Sequence, residues 1–175
     1  MADDALTPDT KDWTWVLTRP CDECGYDAAA VRGPEVADRV VDLAERWVGV
    51  LARPDATVRP APFVWSPVEY ACHVRDVFGV FSGRVRLMLT EDDPTFPSWD
   101  QDETALAEGY TEQAPSTVSS QLLVAAHDAV EAFRAVPADG WGRTGRRSNG
   151  SSFTLETLGQ YFLHDVVHHL ADVRG

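Results

Sequence analysis

Residues 154–174 read TLETLGQYFLHDVVHHLADVR. Apolar Leu158, Tyr161, Phe162 and Leu170 recur at the steps of an amphipathic helix, and Thr154 stands where such a helix begins. Residues four apart lie one turn above each other, so His164 and His168 project from the same face. Two imidazoles placed in this way can chelate one divalent metal.

Three other segments share the periodicity. The first, about 35–52, sets Val36, Val40, Leu43, Trp47 and Val50 on one stripe between Pro34 and Pro54. The second, about 66–90, opens with Ser66, Pro67 and Glu69, a capping box with proline at the first helical position. Its apolar stripe continues through Phe78, Phe81, Val85 and Met88. The third, about 116–136, aligns Val118, Leu122, Ala125, Ala129, Phe133 and Val136.

No run shows the sustained alternation of a strand. The fold class is therefore all-α, a four-helix bundle over 34–175. One long crossover loop, 91–115, replaces a tight turn between the second and third helices. Residues 1–33 form an N-terminal arm with a Cys-x-x-Cys motif. The apolar run Trp13-Thr14-Trp15-Val16-Leu17 is expected to pack the arm on the bundle.

The chain carries 28 acidic against 15 basic residues, a net charge of −13. That field repels a polyanion, and phosphate backbones need clustered cations. The one lysine is Lys11, and the only dense basic run, Arg143 to Arg147, reads as a solvated loop. Nucleic acid is not an expected partner. No stretch approaches the roughly 18 apolar residues of a membrane span, so no membrane partner is expected. The polar segment Met1–Asp12 is unlike a signal peptide, and three cysteines do not make a secreted disulfide framework. The expected location is cytoplasmic.

A third ligand for the His164–His168 pair must come from another helix, and His73 in the second segment is the candidate. An alternative pair on the last helix is Asp165 with His169, also four apart. Asp76 and Asp165 are candidates for holding an imidazole N–H behind the metal. The remaining histidine, His127 beside Asp128, is expected to face solvent. Arg84 and Arg86 are candidates for attracting a substrate carboxylate. Trp99, in the loop 92–102, is a candidate apolar wall over the site. No acid or base can be named.

Cys21-Asp22-Glu23-Cys24-Gly25 has the shape of a zinc knuckle, but no second cysteine pair completes a closed site. Packing, metal binding and redox exchange remain open for it, while Cys72 reads as a small core residue.

The order of Trp65-Ser66-Pro67-Val68-Glu69-Tyr70-Ala71-Cys72-His73, an arginine pair, a Pro/Trp/Asp loop and Leu163-His164-Asp165-Val166-Val167-His168-His169 resembles the DinB-like superfamily over 34–175. That group includes mycothiol- and bacillithiol-dependent enzymes and maleylpyruvate isomerase-like proteins. The resemblance implies a four-helix bundle with a three-histidine metal site, mapped here onto His73, His164 and His168, that holds zinc or nickel. It also implies a small-molecule substrate and a low-molecular-weight thiol as co-substrate.

Three neutral ligands leave the metal doubly positive with open positions, where a thiol becomes thiolate and a water becomes hydroxide. The expected function is thus a metal-dependent transferase using a small thiol. Metal-dependent hydrolysis and a non-catalytic metal-binding stress-response module are the alternatives. A homodimer is compatible with the exposed faces of such a bundle.

Overall fold

The computed structural model describes residues 12–175; Lys11 and the rest of the segment before Asp12 lie outside the described residues. The long helices are α1 (Val36–Leu51), α2 (Pro67–Thr90), α4 (Pro115–Arg134) and α5 (Leu155–Asp172). These match the four periodic segments to within a residue or two.

The capping box of α2 forms with a further partner. Ser66 N and Ser66 Oγ both donate to Glu69 Oε2, at 2.9 and 2.6 Å. Arg59 Nε donates to the same oxygen at 2.9 Å. Burial works against the Glu69 charge, but these hydrogen bonds prevail and hold its carboxyl below the ordinary range.

Around the bundle the helices run α1, α4, α2, α5, so each of the sequence neighbours α1 and α2 packs on both α4 and α5. The core is aromatic at its centre, where Phe162 of α5 stacks on Phe133 of α4 and meets Phe78 and Phe81 of α2. Trp47, Leu122, Leu158 and Leu163 fill the surrounding space and are fully buried. No helix among the described residues is long and apolar enough to cross a membrane.

The crossover between α2 and α4 is more structured than a loop. It holds β1 (Thr95–Phe96), the short helix α3 (Gln101–Ala107) and a 3-10 turn at Tyr110–Glu112. Asp100 caps α3 by accepting from Asp102 N and Glu103 N. β1 pairs in parallel with β2 (Thr144–Arg147), which forms an antiparallel hairpin with β3 (Ser152–Thr154).

Within the Arg143–Arg147 run, residues 144–147 therefore form the strand β2 and not a loop, although Arg146 is exposed. Arg143 Nε donates to the Met88 carbonyl at 2.6 Å, and Arg146 pairs with Asp93. β2 lies so close to the end of α2 that a Cβ on Gly145 would come within 2.8 Å of Met88. Strands of two to four residues are too short to show a period of two, which is why the pattern missed them.

Segment 12–35 runs over α5 through 3-10 turns at Trp13–Leu17, Ala28–Ala30 and Gly33–Glu35. Val16, Cys21, Ala28 and Val31 are buried. Tyr26 Oη donates to the Gln160 carbonyl, and Gln160 Nε2 donates to the Val31 carbonyl, each at 2.8 Å.

Candidate metal centre

Helix α5 carries His164, Asp165, His168 and His169 in its middle and last turns. Neighbours in sequence point about 100° apart on a helix, so His164 and His168 form one stripe and Asp165 and His169 the next. The two stripes face different partners. The arm packs over the first, and α2 brings His73 to the second.

The second stripe builds a three-residue cluster. One donor atom each from His73, Asp165 and His169 lies within 4.8 Å of the others. His73 Nε2 is 3.0 Å from Asp165 Oδ1, and His169 Nε2 is 3.7 Å from the same oxygen. The other nitrogen of His169, Nδ1, is 2.8 Å from Asp172 Oδ2. A carboxylate there accepts the Nδ1 proton and leaves the Nε2 lone pair pointing at the cluster. Burial disfavours the Asp165 charge, but the facing His73, His169 and His164 more than offset it and hold its pKa at about 2. His73 is fully buried, and its ring stacks on Trp99 with centroids 5.3 Å apart.

The first stripe builds a different set. Donors from Cys21, Cys24, His164 and His168 also lie within 4.8 Å of one another. His168 Nδ1 is 3.7 Å from Cys21 Sγ, and His168 Nε2 is 3.5 Å from Glu23. The Trp13 ring packs on both histidines, with centroids 5.5 and 4.8 Å away. Burial pushes the pKa of His164 down to about 4, with the His168 charge next in importance. The Cys24 thiol is pushed up to about 11, mainly by burial. That is the opposite of what a reactive redox thiol needs.

Both clusters border one cavity of about 620 Å³. Trp65, Phe81, Trp99 and Tyr161 supply its apolar wall, and Arg84 and Arg147 reach it from α2 and β2. Arg84 is buried and lies over the Phe81 and Phe96 rings at 4.9 and 5.0 Å. Its pKa falls to about 10, first through burial and then through the charge of Arg147. Arg147 sits over Phe153 and Tyr161, and its buried Nε has no hydrogen-bond partner.

The expected ligands are thus divided. His73 does not join His164 and His168 in any donor group among the described residues; it meets Asp165 and His169, the pair set aside as the alternative. Asp165, considered as a support behind the metal, is itself a donor of the cluster.

Asp76 does not support an imidazole. It pairs with Arg75 and accepts from Tyr110 Oη at 2.5 Å. Arg86 is not in the cavity; it is bound to Asp128 of α4 at 2.6 Å, because residues two apart on a helix face nearly opposite ways. Trp99 and Arg84 do line the cavity, and His127 is exposed.

The reading also missed Asp172 and Arg147. Asp172 follows His169 at a helical step of three, a signal the sequence did contain. Arg147 gave none, because only the hairpin turns it inward.

The DinB superfamily model matches residues 36–173, and the chain belongs to that superfamily. No curated protein sequence matches it. Among solved structures it is similar to YfiT from Bacillus subtilis, described as "a probable metal-dependent hydrolase with an unusual four-helix bundle topology". The two share 19% identity and a TM-score of 0.65, over 79% of this chain and 81% of YfiT. The likeness bears out the four-helix bundle.

Proposed function

We propose that this protein is a metal-dependent enzyme acting on a small anionic molecule, with His73, Asp165 and His169 holding the divalent cation. The observation that carries the reading is the convergence of these three donors from two helices, with Asp165 and His169 bordering a cavity large enough for a small-molecule substrate and His73 fully buried beside them. Two imidazoles and one carboxylate suit zinc, nickel or iron, and they leave coordination positions open. A cation held there makes a water or a thiol nucleophilic at neutral pH.

The remaining residues have separate tasks. Asp172 fixes the ring of His169, and Trp99 stacks on His73 and keeps water from its far side. Neither Arg84 nor Arg147 is in an ion pair with a described Asp or Glu, although the chain is strongly acidic overall. Two such guanidinium groups at one cavity favour a carboxylate or phosphate on the substrate.

Hydrolysis is the first reading, because it is the activity ascribed to YfiT. Thiol transfer, which the sequence resemblance brings, needs only that a small thiol takes the place of water.

The test is turnover of carboxylate-bearing esters and amides by the zinc- or nickel-loaded chain, run beside thiol and electrophile pairs. Turnover without thiol, lost in His169→Ala and with a raised KM in Arg147→Ala, supports hydrolysis. Turnover only with thiol moves the assignment to transfer. A loaded site that is inactive in both panels overturns the enzyme reading.

A further inference from the structure

We propose that Cys21, Cys24, His164 and His168 form a second, closed zinc site that fastens the N-terminal segment to α5. The proposal is independent of the catalytic reading above, since none of its ligands is shared with His73, Asp165 or His169.

Four observations carry it. The donor set is the two-thiolate, two-imidazole combination of structural zinc, and all four donors are mutually within 4.8 Å. The distance from Cys21 Sγ to His168 Nδ1 is 3.7 Å. A tetrahedron with zinc–sulfur of 2.3 Å and zinc–nitrogen near 2.1 Å has a sulfur–nitrogen edge of roughly 3.6 Å. His164 Nε2 is buried without a hydrogen-bond partner, which is costly unless a further group binds it. His168 points Nδ1 at the cysteine and Nε2 at the Glu23 carboxylate, the orientation in which an outer carboxylate holds a ligating imidazole.

The local backbone supports the cysteines as a knuckle. Gly25 N donates to the Cys21 carbonyl, and Cys21 N donates to the Tyr26 carbonyl, both at 2.8 Å. Gly25 has φ of +75°, a left-handed conformation that costs glycine little, and it lets the chain turn back after Cys24.

Cys21 is 1% exposed, His164 3% and His168 8%, and Cys24 is half-buried; the two histidines border the cavity, but with all four donors on the ion no position is left for a substrate. Four protein donors that fill the tetrahedron define a structural site. On folding with zinc, each thiol gives up its proton to solvent and binds as thiolate.

The experiment uses the full chain, without a histidine tag, loaded with cobalt(II) as a probe for zinc. Thiolate ligation gives a near-ultraviolet sulfur-to-cobalt charge-transfer band together with tetrahedral visible bands. The expected result is that band in the wild type, its retention in His169→Ala and its loss in Cys21→Ser/Cys24→Ser.

Bound zinc should fall from two equivalents to one in the cysteine variant. Alkylation of Cys24 in the wild type should quicken about tenfold or more once a chelator removes the metal. One equivalent of metal with the thiolate band would keep this site and refute the cation at His73, Asp165 and His169. Absence of the band in cobalt-loaded wild type, or alkylation at one rate with and without metal, overturns the proposal. Neither wild-type measurement depends on a variant folding.

Discussion

Helix α5 presents two donor pairs one residue out of step, His164 with His168 and Asp165 with His169, and the surroundings give them different work. The first pair lies under the N-terminal segment, which adds two cysteines and packs Trp13 over both rings. The second pair meets one histidine from α2 and opens on the cavity beside Arg84 and Arg147. The same residue type, histidine, serves both. Both pairs border the cavity, so what separates the proposed sites is the number of protein donors, four against three, and with it the coordination position left for a reactant. One is suited to hold the fold and the other to hold a reactant.

The sharpest way to break this comparison is to remove one donor from each side. His169→Ala should lower turnover by about a thousandfold or more, roughly 4 kcal/mol of barrier. Its effect on folding stability should be about 1 kcal/mol or less, since His169 sits at the cavity rim. Steady-state kinetics beside thermal unfolding of the same sample gives both numbers. Equal loss of stability and activity would show that the two clusters are not functionally separate.

The mirror variant, Cys21→Ser/Cys24→Ser, should do the reverse. Without its ligands the segment 12–35 keeps the packing of Val16, Ala28 and Val31 and the Tyr26–Gln160–Val31 hydrogen bonds. A loss of about 3 kcal/mol, or roughly 6–12 °C in the unfolding midpoint for a domain this size, is expected. Turnover by the variant at a temperature where it remains folded should stay within about threefold of wild type. A midpoint unchanged by the double substitution would remove the fastening role.

The bundle was legible in the sequence because four stripes of period 3.6 are each at least four turns long. Ser66, Pro67 and Glu69 marked the start of α2 through side-chain chemistry that acts locally. The site was only half legible. Spacing along α5 revealed two possible donor pairs, but a one-residue step is a rotation of 100°, and which stripe faces α2 is decided by packing. His73 was therefore grouped with a pair other than the one whose donors it meets in the structure. The arm was read as a packed apolar run, yet nothing in the spacing between Cys24 and His164 shows that they meet. Arg147 lay beyond reach for the same reason, since its orientation depends on a hairpin too short to leave a pattern.

Acid sharpens the comparison on the side of the closed cluster. The pKa of His164 in the folded metal-free chain is about 4, against a reference value of 6.5. Between these values the unfolded chain binds the proton and the folded chain does not. Stability is thus greatest above pH 6.5, falls as the pH drops towards 4, and changes no further from this group below that. The shift corresponds to at most about 3–4 kcal/mol, and to less as other groups relax with it. Midpoints of the metal-free wild type should drop more than those of metal-free His164→Asn between pH 7 and 4.5. Parallel curves would mean that His164 titrates normally and is not shielded by Trp13 and the arm.

The smallest expected effect concerns the group behind the open cluster. Asp172 Oδ2 is 2.8 Å from His169 Nδ1, whereas His168 in the closed cluster has Glu23 in the equivalent place at 3.5 Å. A carboxylate behind a ligating imidazole raises its basicity and fixes its tautomer, and its loss typically costs about 10- to 100-fold in metal affinity or activity. Asp172→Asn keeps the size and a hydrogen-bonding oxygen but removes the charge, so turnover should fall within that range while metal still binds at saturating concentration. Competition with a chelator of known affinity reads the metal side, and kcat at saturating metal reads the rest. Glu23→Gln should change neither, because the closed cluster has no part in turnover and its fourfold ligation does not rest on one outer carboxylate. If Glu23→Gln slowed turnover as much as Asp172→Asn, the closed cluster would be acting on the reaction, and the division of α5 into two sites with separate tasks would have to be abandoned.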